Sequence, residues 1–126
     1  MDQLLEDRLR ITAETGMATP EIVAFVSQLL AELDSEYVVT EQTAGMFAAH
    51  LMAALERVRT GDTSVGEPNV AHVAEARTAS PSSPARARAI ADRAAAELGL
   101  TLPKGEIDFL TIHLATLYVA HRKENR

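Results

Sequence analysis

Apolar residues recur at three- and four-residue intervals along most of the chain, which is the spacing of a helix that buries one face. The clearest stripe follows a capping signal: Thr19 can accept a hydrogen bond from the first turn, and Pro20 occupies that turn, where its missing N–H costs nothing. This pattern predicts a helix that ends near Asp34 and Ser35. Its buried face is predicted to comprise Ile22, Val23, Phe25, Val26, Leu29, Leu30 and Leu33.

One more helix is predicted on each side of this one. The first covers about residues 2–14 and ends before Gly16, with Leu4, Leu5, Leu9 and Ile11 on one side. The other begins after a cap at Thr40, runs to about residue 60 and stops at Gly61. The residues of this helix predicted to face the core are Phe47, Leu51, Leu55 and Val58.

The C-terminal third of the chain predicts a further pair of helices. One covers about residues 84–98, is rich in alanine and ends at Gly99. The other covers about residues 104–122 after a short connector. Its predicted buried stripe comprises Ile107, Leu110, Leu114, Leu117 and Tyr118.

The segment from 61 to 84 is the least regular part of the chain. A short helix around 70–77 fits its middle, but the cluster of serine and proline behind it predicts a flexible loop. No segment alternates apolar and polar residues for long enough to predict a strand. The sequence therefore predicts one all-α domain over residues 1–126, built as a five-helix antiparallel bundle.

Composition narrows the class of protein. The 126 residues include no cysteine, which excludes a disulfide framework, a thiolate nucleophile and a cysteine-ligated zinc site. The first residues carry charges every few positions and resemble neither a signal peptide nor a lipidation motif. No apolar run approaches the roughly 20 residues needed to span a bilayer. A cytoplasmic location without membrane attachment is expected.

The charge pattern argues against direct nucleic-acid binding. The formal net charge is −6, and the positive charge of the densest basic segment, PARARAIADR at 84–93, is diluted by Asp92 within it and by Glu97 just after it. Nucleic-acid binding usually needs a basic face that displaces counterions from phosphates. This segment is interpreted as a solvated helix face.

Two histidines stand out because each lies beside a predicted apolar stripe and precedes a leucine. His50 occurs in FAAHLMAALERVRTG and His113 in EIDFLTIHLATL, whereas His72 and His121 are expected at exposed positions. Each of the pair is open to four readings: a hydrogen-bonded boundary residue, a metal ligand, a catalytic base or a modified residue. The sequence contains no H-x-x-x-H or H-E-x-x-H spacing, which argues against a metal site, and no metal or other cofactor is expected. The sequence also contains no nucleophile elbow or glycine-rich loop that would support acid–base catalysis, so the chain is not expected to be an enzyme.

The surroundings of the two histidines carry a family resemblance. HLMAALERVRTG, residues 50–61, resembles H-L-x-x-A-[IL]-x-R-x-x-x-G, the first signature of the phosphotransferase-system regulation domain, or PRD. LPKGEIDFLTIHL, residues 102–114, resembles the second, L-P-x-x-E-x-x-[FY]-[IL]-x-x-H-[IL]. The resemblance covers about residues 19–122.

The resemblance implies a non-enzymatic regulatory domain. Such domains are all-helical, associate as homodimers and belong to bacterial transcription regulators controlled by the sugar phosphotransferase system. The resemblance makes His50 and His113 the expected phosphoacceptors. The phosphodonor would be the histidine-containing phosphocarrier protein or a phosphorylated sugar-transporter subunit, and phosphorylation would rearrange the dimer.

Two charged residues are expected to support the histidines. Arg57, on the same side of its helix as His50, is a candidate for orienting that imidazole or for pairing with its phosphate. Glu106, two turns before His113, is a candidate for orienting His113 or for opposing its phosphorylation. Either can also be an ordinary helix-surface charge.

The chain departs from the family pattern in two respects. Members usually carry two such domains and an RNA- or DNA-binding module, whereas this chain shows one domain. Two alternatives follow: the domain acts on a separate protein, or it has lost phosphorylation and kept only its dimerising fold. The segment from 61 to 84 is also more polar than the usual helical middle. The alternative function is an unphosphorylated helical scaffold or subunit that binds a metabolic enzyme.

Overall fold

The structure is a computed structural model that describes residues 2–62 and 67–123. Within those ranges the chain is all-α, as predicted, and forms six helices rather than five. They are α1 (Gln3–Glu14), α2 (Pro20–Leu33), α3 (Glu41–Thr60), α4 (Val70–Ala79), α5 (Ser83–Leu98) and α6 (Lys104–Ala120).

The helix limits follow from capping chemistry that is visible in the sequence. The Thr19 side chain accepts a hydrogen bond from the backbone N–H of Ile22 at the start of α2. Thr40 and Thr43 cap the start of α3 reciprocally, each side chain accepting from the other's backbone N–H. Gly61 ends α3 with φ +77°, a left-handed conformation that favours glycine.

The extra helix, α4, corrects the predicted count of five. It lies within the segment interpreted as a loop, close to the short helix that fitted residues 70–77, and it begins after Asn69, whose side chain accepts from the N–H of Ala71. Its pattern is weak because only Val73 and Ala76 are buried along its length. Residues 63–66 of the predicted loop lie outside the described residues.

The core confirms most of the predicted buried faces. All seven predicted residues of α2 are buried, as are Phe47, Leu51 and Leu55 of α3, while Val58 and Tyr118 are half-buried at its edge. In α1 the prediction is wrong for two residues, since Leu4 is 65% exposed and Ile11 is 49% exposed. Only Leu5 and Leu9 of that helix are buried, because α1 lies at the periphery and contacts the core along a narrow stripe.

The helix packing determines where the site forms. Helix α6 packs against α3, α4 and α5, and α1 packs against α2 and α3. The link between α2 and α3 also pairs with the end of the described chain, where the N–H of Val38 donates to the carbonyl of His121 at 2.8 Å. None of the described helices is long and apolar enough to cross a membrane. The contact between α3 and α6 brings the two signature histidines together.

Candidate functional site

The site is centred on two imidazole rings that face each other across the α3–α6 contact. The ring centroids of His50 and His113 are 5.4 Å apart, and the ring planes make an angle of 76°. His50 lies in the middle of α3 and His113 in the middle of α6. Two residues 63 positions apart in the sequence therefore form one local cluster.

Two phenylalanines flank the imidazole pair. The ring of Phe47 meets His113 edge-on at 5.6 Å, and the ring of Phe109 lies tilted against His50 at 4.6 Å. Phe47 was predicted to lie in the core, but the helical pattern gave Phe109 no special role. Its signal in the sequence is its place at the aromatic position of the second PRD-like string. The two aromatic rings therefore pack against the imidazole pair, one on each histidine.

A buried carboxylate joins His50 to a cation. Glu106 is only 3% exposed; its Oε2 lies 2.9 Å from Nε2 of His50, and its Oε1 accepts a hydrogen bond from Nη2 of Arg57 at 3.1 Å. Both carboxylate oxygens are therefore occupied, as a buried charged group requires. We call His50, Glu106 and Arg57 the carboxylate triad.

The carboxylate triad differs from the predicted contacts. Glu106 was expected to orient His113, which lies on its own helix, but among the described residues its hydrogen bonds go to His50 and Arg57 on α3. Arg57 likewise reaches His50 only through Glu106. The reason is burial: Glu106 lies in the first turn of α6, where the chain packs into the α3–α6 contact.

Arg57 has spare hydrogen-bonding capacity. Its side chain is 32% exposed, yet its Nε is buried and has no hydrogen-bond partner in the described part of the chain. A buried N–H without an acceptor is costly, so most such groups in proteins find one. Arg57 therefore combines a bond to Glu106 with a buried Nε–H that no described residue accepts.

The two histidines differ in their electrostatic environment. Burial, together with the neighbouring His50, lowers the pKa of His113 to about 4. His113 is consequently neutral near pH 7, with a lone pair on one ring nitrogen. His50 keeps 29% of its side-chain surface exposed and is the histidine that contacts the carboxylate.

The remaining histidines lie away from this cluster. His72 is exposed on α4, and His121 caps the C-terminal end of α6, where it is half-buried. Across residues 2–62 and 67–123, no group of three or more histidine, aspartate or glutamate side chains is arranged to hold a metal ion.

The chain matches no protein-family model, and no curated protein or solved structure is detectably similar to it. A partly exposed imidazole, a carboxylate that fixes one of its nitrogens and a guanidinium beside them form an arrangement suited to accepting a phosphoryl group.

Proposed function

We propose that this chain is a non-enzymatic regulatory domain that accepts a phosphoryl group on histidine from the sugar phosphotransferase system. The observation that supports it is the convergence of the two PRD-like strings, with His50 from the first contacting Glu106 from the second at 2.9 Å. His113 of the second string completes the cluster at 5.4 Å from His50.

The chemistry of the site is consistent with this role. A phosphohistidine donor supplies the reactive N–P bond, so the acceptor needs only a neutral imidazole nitrogen and a cation near the incoming oxygens. Arg57 provides that cation, and its Nε has no acceptor among the described residues. Phosphoryl oxygens are strong acceptors for guanidinium groups.

Phosphorylation at this position would perturb the contact between α3 and α6. A phosphoryl group adds nearly two negative charges, and Glu106 already holds a buried negative charge against the same ring. Repulsion from Glu106 and attraction to Arg57 would favour an exchange in which Arg57 leaves the carboxylate for the phosphoryl oxygens. We propose that this exchange shifts α6 relative to α3 and that a homodimer transmits the shift to a transcription regulator or another partner.

The direct test is transfer from a reconstituted cascade. The protein is incubated with phosphoenolpyruvate, the first enzyme of the cascade and the histidine-containing phosphocarrier protein, and its intact mass is measured without acid, since phosphohistidine is acid-labile. The expected result is a gain of one or two phosphoryl groups that is reduced in His50→Ala and in His113→Ala. The matched controls are His72→Ala and His121→Ala, which should retain the gain.

Two results would overturn the proposal. One is no mass gain with the phosphocarrier or with a phosphorylated transporter subunit, which would favour the unphosphorylated scaffold instead. The other is a gain that survives removal of both His50 and His113. Sedimentation of the phosphorylated and unphosphorylated protein tests the dimer and its rearrangement.

A further inference from the structure

The hydrogen-bond network at Glu106 determines which nitrogen of His50 carries a proton. The Arg57 guanidinium donates to Oε1 and thereby holds the buried Glu106 carboxylate in position. An ionised carboxylate can only accept hydrogen bonds. The contact of 2.9 Å between Oε2 and Nε2 therefore requires Nε2 of His50 to be the donor.

The same network leaves the other nitrogen of His50 available. In a neutral imidazole one nitrogen carries the hydrogen and the other carries the lone pair. With the hydrogen on Nε2, the lone pair lies on Nδ1, which no described residue engages in a hydrogen bond. The side chain is 29% exposed, so the ring is accessible to a partner from outside.

We propose that phosphoryl transfer to this site takes place on Nδ1 of His50, with Glu106 as a positioning residue that keeps Nε2 protonated. This inference rests on the proposed function and specifies its regiochemistry. It assigns the first acceptor to His50 rather than to His113, whose ring lies between Phe47 and His50 and has no carboxylate against it in the described residues.

The step balances in atoms and charge. The Nδ1 lone pair of His50 attacks the phosphorus of the donor phosphohistidine, a new N–P bond forms and the donor's N–P bond breaks. The donor imidazole, protonated on its other nitrogen, takes the bonding pair and leaves as a neutral histidine. The His50 ring then carries phosphorus on Nδ1 and hydrogen on Nε2, so the ring bears a positive charge. The Glu106 carboxylate, 2.9 Å from Nε2, stabilises this charge as it develops.

The test identifies the phosphorylated nitrogen. Uniformly ¹⁵N-labelled protein is phosphorylated by the cascade described above, and long-range ¹H–¹⁵N correlation spectra show which ring nitrogen is bonded to phosphorus. The expected product is phosphorylated on Nδ1 of His50, with the signals assigned by their loss in His50→Ala. In Glu106→Gln the amide can accept from or donate to Nε2, so we expect the ratio of Nδ1 to Nε2 product to fall about tenfold. Glu75→Gln, an exposed position on α4, is the matched control and should leave the ratio unchanged.

A second measurement keeps the inference testable without any phosphodonor. The ¹⁵N chemical shifts of the unphosphorylated wild-type protein report the tautomer of His50 directly, and hydrogen on Nε2 is expected. A dominant Nδ1–H tautomer, or phosphorylation of His50 on Nε2, would overturn the inference while leaving the proposed function standing. If the protein is never phosphorylated although His50 carries its hydrogen on Nε2, both the proposed function and this inference are overturned. The imidazole would then have the expected tautomer but would not accept a phosphoryl group.

Discussion

The buried Glu106 carboxylate on α6 lies 2.9 Å from Nε2 of His50 on α3, although the two residues are 56 positions apart. This contact and the bond from Arg57 to the other carboxylate oxygen hold α3 and α6 together at the histidine pair. The Glu106 side chain is only 3% exposed, and a buried charge is destabilising unless it is paired and hydrogen-bonded. Glu106 therefore needs both His50 and Arg57 as partners. The stability of the fold and the chemistry of the site therefore depend on the same three side chains.

The first prediction concerns the coupling between Glu106 and Arg57. Glu106→Gln should lower the free energy of unfolding by about 1–3 kcal/mol, because it removes the carboxylate that pairs with a partly buried guanidinium. Arg57→Ala should also destabilise the protein, because it leaves Glu106 with one partner fewer. The double variant should lose less unfolding free energy than the two single variants lose together, and the difference should be about 0.5–3 kcal/mol.

Urea unfolding of the four proteins at neutral pH measures this coupling. Arg88→Ala is the matched control, since Arg88 is exposed on α5, and it should change stability by less than about 0.5 kcal/mol. Strictly additive losses in the double variant would show that the two side chains do not interact in solution.

The second prediction is a pH dependence that originates at His113. Its pKa is lowered to about 4 by burial and by His50, whereas in the unfolded chain it is about 6.5. Between these values the unfolded state binds more protons, so this contribution to stability is complete above about pH 6.5 and falls as the pH drops toward 4. From pH 7 to pH 5 the expected loss is about 2 kcal/mol.

The comparison that isolates this effect is wild type against His113→Gln. The titratable groups of this cluster are His50, which faces His113 across the contact, and Glu106, which contacts His50, and both are present in the two proteins. Chemical unfolding at pH 7 and at pH 5 should show a smaller loss in the variant, while His72→Gln, exposed on α4, should behave as wild type. If wild type and His113→Gln lose the same unfolding free energy between pH 7 and pH 5, a group other than His113 causes the pH dependence.

The fold could be predicted from the sequence wherever local chemistry determines it. Thr19 with Pro20, Thr40 and Gly61 mark helix ends through backbone preferences that act over a few residues, and the structure uses each of them. Helix α4 was only weakly indicated, because Val73 and Ala76 are its only buried residues and two residues do not make a stripe.

The candidate site could be predicted only in part, for a related physical reason. Sequence spacing relates residues on one helix, so Glu106 was paired with His113 two turns away. Its contact with His50 depends on how α3 and α6 pack, which helical periodicity does not specify. The two histidines were singled out because each lies beside an apolar stripe and precedes a leucine, and the two family signatures then made them the expected phosphoacceptors. Arg57 and Glu106 became candidates because helical spacing places each two turns from one of the histidines.

The third prediction separates two adjacent leucines that the sequence pattern treated alike. Leu5 is fully buried and Leu4 is 65% exposed, although both were predicted on the same side of α1. Leu5→Ala should lower the free energy of unfolding by about 2–5 kcal/mol, since it removes buried methyl groups and leaves a cavity. Leu4→Ala removes the same atoms at the surface and should change stability by less than about 0.5 kcal/mol. Denaturant unfolding of both variants measures the difference, and similar losses would mean that α1 packs in another register.

The last prediction concerns a buried hydroxyl pair where α4 turns into α5. Ser80 and Ser83 are each 1% exposed, and their Oγ atoms are 2.6 Å apart in the segment that the sequence indicated as a polar loop. Ser80→Ala should cost about 1–2 kcal/mol of unfolding free energy, because it leaves the buried Ser83 hydroxyl without its partner. Ser80→Ala combined with Ser83→Ala removes both polar groups, so the double variant should lose clearly less than the sum of the single losses.

Ser82→Ala is the matched control for this turn, because Ser82 is exposed and its side chain makes no capping hydrogen bond at the start of α5. Its stability should stay within about 0.5 kcal/mol of wild type in denaturant unfolding. Additive losses at Ser80 and Ser83 would indicate that water reaches the two hydroxyls in solution, since each would then replace its lost partner with solvent. A sub-additive result would show that α4 is held against α5 by a dry polar contact, and helix α4 would then be a fixed part of the surface that covers α6.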